Sequence, residues 1–472
     1  MTCLWHFLDR TVTAPGKRLL RWWVTRPLLL VKDIKQRRVA VEDLLRVAGP
    51  GSILAEAEAL MKKLPDLERK ITRIHAFATA SADAQGVAEA WASQRRAVRE
   101  LVALLQAWRQ FDTIRQLLHG LQTDIGSPLL QAVIGDLPDV TPYIAELEAM
   151  FDVEVAQSTD TVQLVKGSDE AFDAAMTRKA VAEAALEELL KSERAALNCP
   201  RLKFSGTGPL ERHQRYVYLL EMPADFPISK VPPGYQLQGQ TKACRRYSTI
   251  KLQHELDRLN DAQEAVQAAQ RRACAHVCGA FDSRYTVWCL AVTRLAEFDA
   301  LCALAKASES SDGQPMCAAE LVDHSDGAAP ILEVRNMRHP FLGGGAGGQF
   351  VPNDFAIGQQ GPGAHPTSCL ILTGPNMGGK STTLRLACFA ALLAQLGCHV
   401  PAESCRLTPV DRIFTRLGAD DDICRGLRSS PSIYMCVCVC VCVCCCVLLC
   451  VVVVCTHARA RTRTRTCKKD TN

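Results

Sequence analysis

Residues Cys369-Leu-Ile-Leu-Thr-Gly-Pro-Asn-Met-Gly-Gly-Lys-Ser-Thr-Thr383 constrain this chain more than any other stretch. Leu370, Ile371 and Leu372 are a short apolar run of the kind that forms a buried strand, and Ser381 to Leu396 is a helical run closed by Gly397. Between them Gly374, Gly379, Lys380 and Ser381 satisfy the G-x-x-x-x-G-K-[ST] spacing, so the segment reads as a phosphate-binding loop. A triphosphate lies against bare backbone N–H groups, which requires glycines, and the helix start turns its unsatisfied amides and positive dipole end to the same anion. Lys380 adds a formal charge for the β and γ oxygens. Ser381 offers a hydroxyl to Mg2+, a hard cation that takes oxygen ligands. An incidental glycine-rich turn would lack the strand before it and the helix after it. A triphosphate with Mg2+ is therefore the expected ligand.

At 472 residues the chain has room for about three domains. Its net charge of +5 is misleading, because residues 429–472 carry six Lys and Arg against one Asp, leaving everything before them neutral. Nucleic-acid binding would have to come from local basic patches and not from a global field. Ten of the 23 cysteines fall between Cys436 and Cys467. The others are scattered without paired spacing, which suits a reducing compartment better than a disulfide framework. Cys274-Ala-His276-Val-Cys278 comes nearest to a metal pattern, but it lies in a helical stretch with no second pair nearby, so buried helix residues are the better reading than zinc. No charged-then-apolar secretory signal opens the chain.

Taken in order, residues 7–48 read as helices rich in Leu and Arg, ended by Gly49-Pro50-Gly51. Ser52 is an N-cap for a helix to Lys63, and Pro65 opens another. From Asp83 to Leu118, Trp91, Val98, Leu101, Leu105 and Trp108 recur at helical spacing, predicting one long amphipathic helix whose aromatic stripe is core. Gly167 to Asn198 is a second long helix. Short strands follow within residues 200–208 and 215–221, and Pro232-Pro233-Gly234 marks a turn. A return arm runs from about Thr249 to Lys306, with Leu252, Leu256 and Leu259 on one side, so a β-rich tip sits between two helical arms. Residues 308–327 are polar and small and suggest a linker. Strands are expected at Ile331–Val334, from Phe350 to Phe355, near His399-Val400 and at Arg412–Leu417, giving the first half of an α/β domain.

Met435 to Cys455 is an apolar run followed by a basic cluster, long enough for a membrane span with a positive flank. Alternating Cys-Val is also what a TG dinucleotide repeat encodes, and alternating Arg-Thr is what a CG/CA-type repeat encodes. Translated low-complexity sequence reached by a frame or splice error is thus preferred to an anchor, and a membrane is not an expected partner. As protein, such an alternating β-branched run is aggregation-prone.

The run Thr373-Gly-Pro-Asn-Met-Gly-Gly-Lys-Ser-Thr382 resembles the phosphate loop of the MutS mismatch-repair ATPases, a narrower pattern than the general motif. Asp9 to Leu20 is similar to that family's lever entry, and Arg338-His-Pro-Phe341 with Phe350-Val-Pro-Asn-Asp354 to the start of its ATPase domain. Cys405 to Ala419 most resembles the eukaryotic sixth-homologue branch. The likeness covers about residues 4 to 426.

The resemblance implies a mixed fold: a mainly α-helical lever with long helical arms and a small β-rich clamp, followed by a partial α/β P-loop ATPase domain. The parts map to a lever over 1–166, a clamp arm and tip over 167–248 and a returning lever arm over 249–307. A linker over 308–327, the partial ATPase domain over 328–428 and the aberrant tail over 429–472 complete the chain. Nucleotide would be held by Gly374, Pro375, Asn376, Met377, Gly378, Gly379, Lys380, Ser381 and Thr382, with Phe350 stacking on adenine and Ser381 on Mg2+. Lys242, Arg245 and Arg246 would meet phosphates of double-stranded mismatched DNA, because amine and guanidinium groups answer phosphate charge without reading sequence; a solvated basic turn is the other reading of the same residues. The second MutS homologue would be the heterodimer partner and the nucleus the compartment. The family's mismatch-wedging front end and its acidic magnesium-holding strand are not found in the sequence, which predicts weak nucleotide binding and no turnover by this chain alone. A DNA-clamping or partner-binding fragment with an idle nucleotide site and a tail-anchored P-loop ATPase are the alternatives.

Overall fold

The computed structural model of the chain describes residues 3–79, 87–205, 218–310, 314–323, 330–341, 350–358, 369–373, 379–416, 435–440 and 448–454. In chain order the helices are α1 (Leu4–Leu8), α2 (Ala14–Thr25), α3 (Val31–Val47), α4 (Ile53–Met61), α5 (Leu67–Thr79), α6 (Val87–Gly120), α7 (Pro128–Gly135), α8 (Thr141–Glu148), α9 (Val153–Thr159), α10 (Glu170–Ala196), α11 (Ile250–Asp282), α12 (Tyr285–Ser308) and α13 (Lys380–Leu396). The strands are β1 (Lys203–Phe204), β2 (Leu220–Pro223), β3 (Gln236–Gln240), β4 (Cys244–Ser248), β5 (Glu320–Leu321), β6 (Leu332–Met337), β7 (Asn353–Ile357), β8 (Cys369–Thr373), β9 (Ser404–Leu407), β10 (Arg412–Arg416), β11 (Met435–Cys440) and β12 (Leu448–Val454). Two compact units result: one of residues 1–68, 110–138 and 289–472, the other of residues 69–109 and 139–288.

In the second unit α10 and α11 form a pair of long arms. Asp169 caps α10 by accepting from the amides of Ala171 and Phe172, and Thr249 caps α11 through the amide of Leu252. Such caps satisfy amides that have no partner inside the helix. The arms carry an antiparallel sheet in the order β1-β2-β4-β3. Leu186, Leu202, Leu220, Met222, Leu252 and Leu259 bury together where sheet and arms meet. The apolar stripe of α6 is core as its spacing predicts, with Val98, Leu101, Leu105 and Trp108 buried; the side chain of Trp91 lies outside the described residues.

The returning arm is two helices and not one. Arg284 N bonds to Phe281 O at 3.2 Å, and Trp288 stacks on Phe281 at 4.9 Å while its Nε1 donates to Phe281 O at 2.8 Å. Side-chain packing makes this break between α11 and α12 without the Gly or Pro that a sequence reading looks for. Pro65 likewise precedes α5 instead of lying in its first turn.

The first unit is built on buried helix ends. Asp299 of α12 accepts from the amides of Val12 and Thr13 at 3.0 and 2.8 Å and from Thr13 Oγ1 at 2.5 Å, which fixes the start of α2. Asp43 of α3 accepts from the amides of Gly126 and Ser127 at 2.9 and 2.6 Å at the start of α7. Two sheets complete the unit, β5-β9-β6-β7 and β10-β11-β12-β8. Part of the expected linker is therefore structured: β5 pairs in parallel with β9, and Cys317 bridges to Val400. The Cys-Val run supplies strands, with β11 antiparallel to β10 and β12 parallel to β8. Its period of two matches the pleat of a strand, which explains why it pairs in a sheet. Among the described residues no helix is long and apolar enough to cross a membrane.

Candidate nucleotide site

β8 leads into the loop and α13 leaves it. Gly379 sits at φ +82°, the left-handed conformation that glycine takes without a Cβ penalty, directly before Lys380. Gly379 brings no side-chain cap of its own to α13, and the first turn of the helix holds no acidic residue. The positive dipole end of such a helix, with no carboxylate in its first turn, is compatible with an anion. Lys380, Ser381 and Thr382 are half-buried in this turn. Gly374, Pro375, Asn376, Met377 and Gly378 lie outside the described residues.

Both ends of α13 are held. Thr383 Oγ1 donates to Gly379 O at 3.1 Å and approaches Asn353 Oδ1 at 3.4 Å, so the first turn is tied to the start of β7. At the other end Gly397, also at φ +82°, closes the helix with its amide on Ala394 O, and Cys398 N bonds to Leu393 O. Buried Gln395 donates to Leu28 O at 2.7 Å and Val410 O at 2.9 Å and accepts from Val410 N at 3.1 Å. Asn353, Thr383 and Gln395 were not singled out in the sequence. A lone amide in the apolar run Leu392-Leu393-Ala394-Gln395-Leu396 was the readable signal for the last.

Phe350 is half-exposed at the edge of an aromatic cluster. His339 lies edge-on to Phe341 at 4.3 Å and to Phe389 of α13 at 5.4 Å, and is 6.2 Å from Phe350. Burial, aided by the Arg385 charge, pushes the His339 imidazole down to about 4, so it is neutral near pH 7.

The expected DNA contacts separate on inspection. Lys242 is exposed in the turn between β3 and β4. Arg246 Nε is bound to Glu221 at 3.0 Å and Arg245 Nη1 to Phe226 O at 3.0 Å, both half-buried against the sheet. The Glu221 carboxyl, opposed by burial, is nonetheless held low by Arg246 and Lys203. Cys274 and Cys278 are buried 4.0 Å apart on one helix face while His276 is exposed, which fits packed thiols better than a zinc site. Among the residues whose side chains are described, no group of three His, Cys, Asp or Glu could hold a metal ion.

The strand β8, the left-handed Gly379 and the start of α13 stand in the order that a phosphate-binding loop requires. The chain matches MutS domain III over residues 1–305 and MutS domain V over residues 370–438, and it belongs to the MutS family. It is 34% identical over 439 residues to the human DNA mismatch repair protein Msh6 and 33% identical over 435 residues to that of Gallus gallus, in each case over 89% of this chain. DNA mismatch repair protein MutS of Pelotomaculum thermopropionicum is 32% identical over 422 residues. The chain spans about a third of the length of the two Msh6 relatives, at 31% and 32%. The domain V match runs to residue 438, past Gly426 where the sequence likeness was placed.

Proposed function

We propose that this chain is a mismatch-repair protein of the Msh6 type that binds ATP–Mg2+ at the phosphate loop and grips double-stranded DNA through the tip of α10 and α11. The observation that carries the nucleotide reading is the left-handed Gly379 directly before Lys380, at the start of a helix whose first turn holds no acidic residue. Lys380 would neutralise the β and γ oxygens and Ser381 would hold Mg2+, which supplies charge compensation when bound. Phe350 would stack on the adenine. In the clamp the exposed Lys242 and Lys230 are the phosphate contacts, while Arg245 and Arg246 serve the sheet. A heterodimer with the second MutS homologue, recognition of mismatched duplexes and a nuclear location belong to the same proposal; the relatives' names support mismatch repair, and the partner and compartment follow from the family resemblance of the sequence.

Fluorescent ATP titrated into the full chain tests it, together with duplex DNA affinity measured with and without ATP. The expected result is nucleotide binding lost in Lys380→Ala and DNA binding that responds to ATP. Nucleotide binding unchanged in Lys380→Ala would overturn the assignment of the loop. DNA affinity indifferent to nucleotide would favour the clamp fragment with an idle site.

A further inference from the structure

The corner between α2 and α3 exposes apolar side chains inside a basic rim. Trp22, Leu29 and Leu30 fall within nine residues of sequence and are 52%, 48% and 65% exposed. Large apolar side chains scattered singly over a surface are ordinary, whereas a cluster of them rimmed by polar groups marks an interaction site. The rim here is of one sign. Arg21, Arg26, Lys32 and Lys35 are exposed, and the only acid between residues 21 and 35 is the half-buried Asp33. Arg21, Lys32 and Lys35 enter no ion pair among the described residues, and the Arg26 guanidinium lies 5.4 Å from the centre of the Trp22 ring.

These side chains contribute little to the fold that displays them. α2 buries Leu20 and Trp23, and Arg37 of α3 stacks on the Trp23 ring at 4.0 Å, which leaves Trp22 on the outer side of the helix. Leu30 stands at the N-cap of α3, where Ser, Thr, Asp or Asn would close the helix, and makes no cap hydrogen bond. The corner is nonetheless held firmly. Leu28 N donates to Gln395 O at 3.3 Å, and Leu28 O accepts from Gln395 Nε2 at 2.7 Å. Both backbone groups of the residue before the exposed pair are thus tied to α13, and a surface fixed in this way loses little freedom when it is covered.

We infer that this corner docks a short acidic segment of a protein partner that carries apolar anchors. Its carboxylates meet Arg21, Arg26, Lys32 and Lys35, the last two three residues apart on one face of α3. Its leucine or aromatic side chains cover Trp22, Leu29 and Leu30. A rim of one charge selects a partner of the other, and mixed composition selects its class. Nucleic-acid phosphates are met by charged and polar groups, so a duplex would take the cations and leave the two leucines in water. An anionic membrane takes apolar side chains about 5–10 Å deep. Pro27 and Leu28 are half-buried, with Leu28 held against α13, so the corner offers no such projection. The surface needs no nucleotide and is independent of the function proposed above.

The test titrates the full chain into a fluorescein-labelled synthetic peptide, glutamates flanking a Leu-Phe pair, and reads anisotropy at low salt. Binding is expected. Leu29→Ser with Leu30→Ser should weaken it at least tenfold, or about 1.4 kcal/mol, and Lys32→Glu with Lys35→Glu should do the same. Val181→Ser, which removes an apolar side chain 60% exposed on α10, should leave it intact. All the substituted side chains are exposed, so the fold does not depend on them. An equal loss in Val181→Ser would mean that any exposed apolar residue suffices, and would overturn the site. So would equal affinity for a peptide with Ser-Ser in place of Leu-Phe, or equal affinity for duplex DNA or phosphatidylserine vesicles that is lost with the same two leucines. Hydrogen exchange of the wild-type chain with the peptide is a second readout that needs no substitution. Added protection is expected within residues 21–35, and protection confined to other segments would refute the docking surface.

Discussion

Gly16→Ala sets helix propensity against packing at one atom. Gly16 lies in the first turn of α2, where replacing glycine by alanine should add about 0.5–1 kcal/mol from propensity alone. The added Cβ would stand 2.2 Å from Asp299 Oδ2, 2.7 Å from its Cγ and 2.8 Å from its Cβ. Asp299 is 1% exposed and has little room to retreat. Rotating its carboxylate away would break the bonds from Val12 N, Thr13 N and Thr13 Oγ1. Hydrogen bonds to a charged group contribute about 1.5–3 kcal/mol each, and overpacking costs about 1–3 kcal/mol. Because the three bonds act through one side chain they do not add, and the net cost should be about 3–5 kcal/mol, several times the propensity gain. Hydrogen exchange of the α2 amides, read as local opening free energy, measures it. Gly279→Ala in α11 is the control, since nothing lies within 4 Å of its added Cβ and propensity should win there by about 0.5–1 kcal/mol. If the α2 amides of Gly16→Ala exchange at the wild-type rate or more slowly, the anchoring role given to Asp299 is wrong.

Gln395→Leu keeps the volume but strands Leu28 O and both backbone groups of Val410, and should destabilise the first unit by about 2–4 kcal/mol in urea unfolding. His339 stays neutral in the fold down to about 4 while the unfolded chain takes up a proton near 6.5. Its contribution is therefore intact above 6.5 and is lost as pH falls from there towards 4. His339→Gln should flatten that part of the pH–stability curve, and an unchanged slope would sink the account.

The helical scaffold was legible because its signals are local and periodic. The α6 stripe, the Ser52 cap and Gly397 after α13 each follow from spacing or from one backbone requirement. The break between α11 and α12 was not legible, because it comes from Trp288 folding back on Phe281. At the site, the order of strand, glycine and helix could be read from residues 369–396, but the ties that hold it could not. Asn353 reaches Thr383 across 30 residues and Gln395 reaches Leu28 across 367, and no window along the chain contains both partners. The basic turn shows the same limit. Lys242, Arg245 and Arg246 look equivalent in sequence, and only the pairing of β4 with β2 reveals that Glu221 claims Arg246.

These ties give α13 a particular mechanical position. Its 17 residues span roughly 25 Å, with Gly379 and the loop at one end and Gln395 and Gly397 at the other. The far end is packed without slack: a Cβ on Gly397 would come within 3.1 Å of Arg38 N and 3.2 Å of Arg37 Cβ in α3. Arg37 in turn lies 4.0 Å over the Trp23 ring of α2, and the Gln395 side chain bonds to Leu28 O between α2 and α3. A buried junction of hydrogen bonds and tight contacts does not absorb a displacement as a loop would. A shift of the first turn of α13 must therefore appear at α2 and α3 or break the Gln395 bonds. Hydrogen exchange distinguishes these outcomes. In the wild-type chain ATP should change protection at residues 23–38 together with the first turn of α13. In Gln395→Leu the first turn should still respond while residues 23–38 no longer do, and a response there that survives the substitution would show that the signal does not travel through this helix.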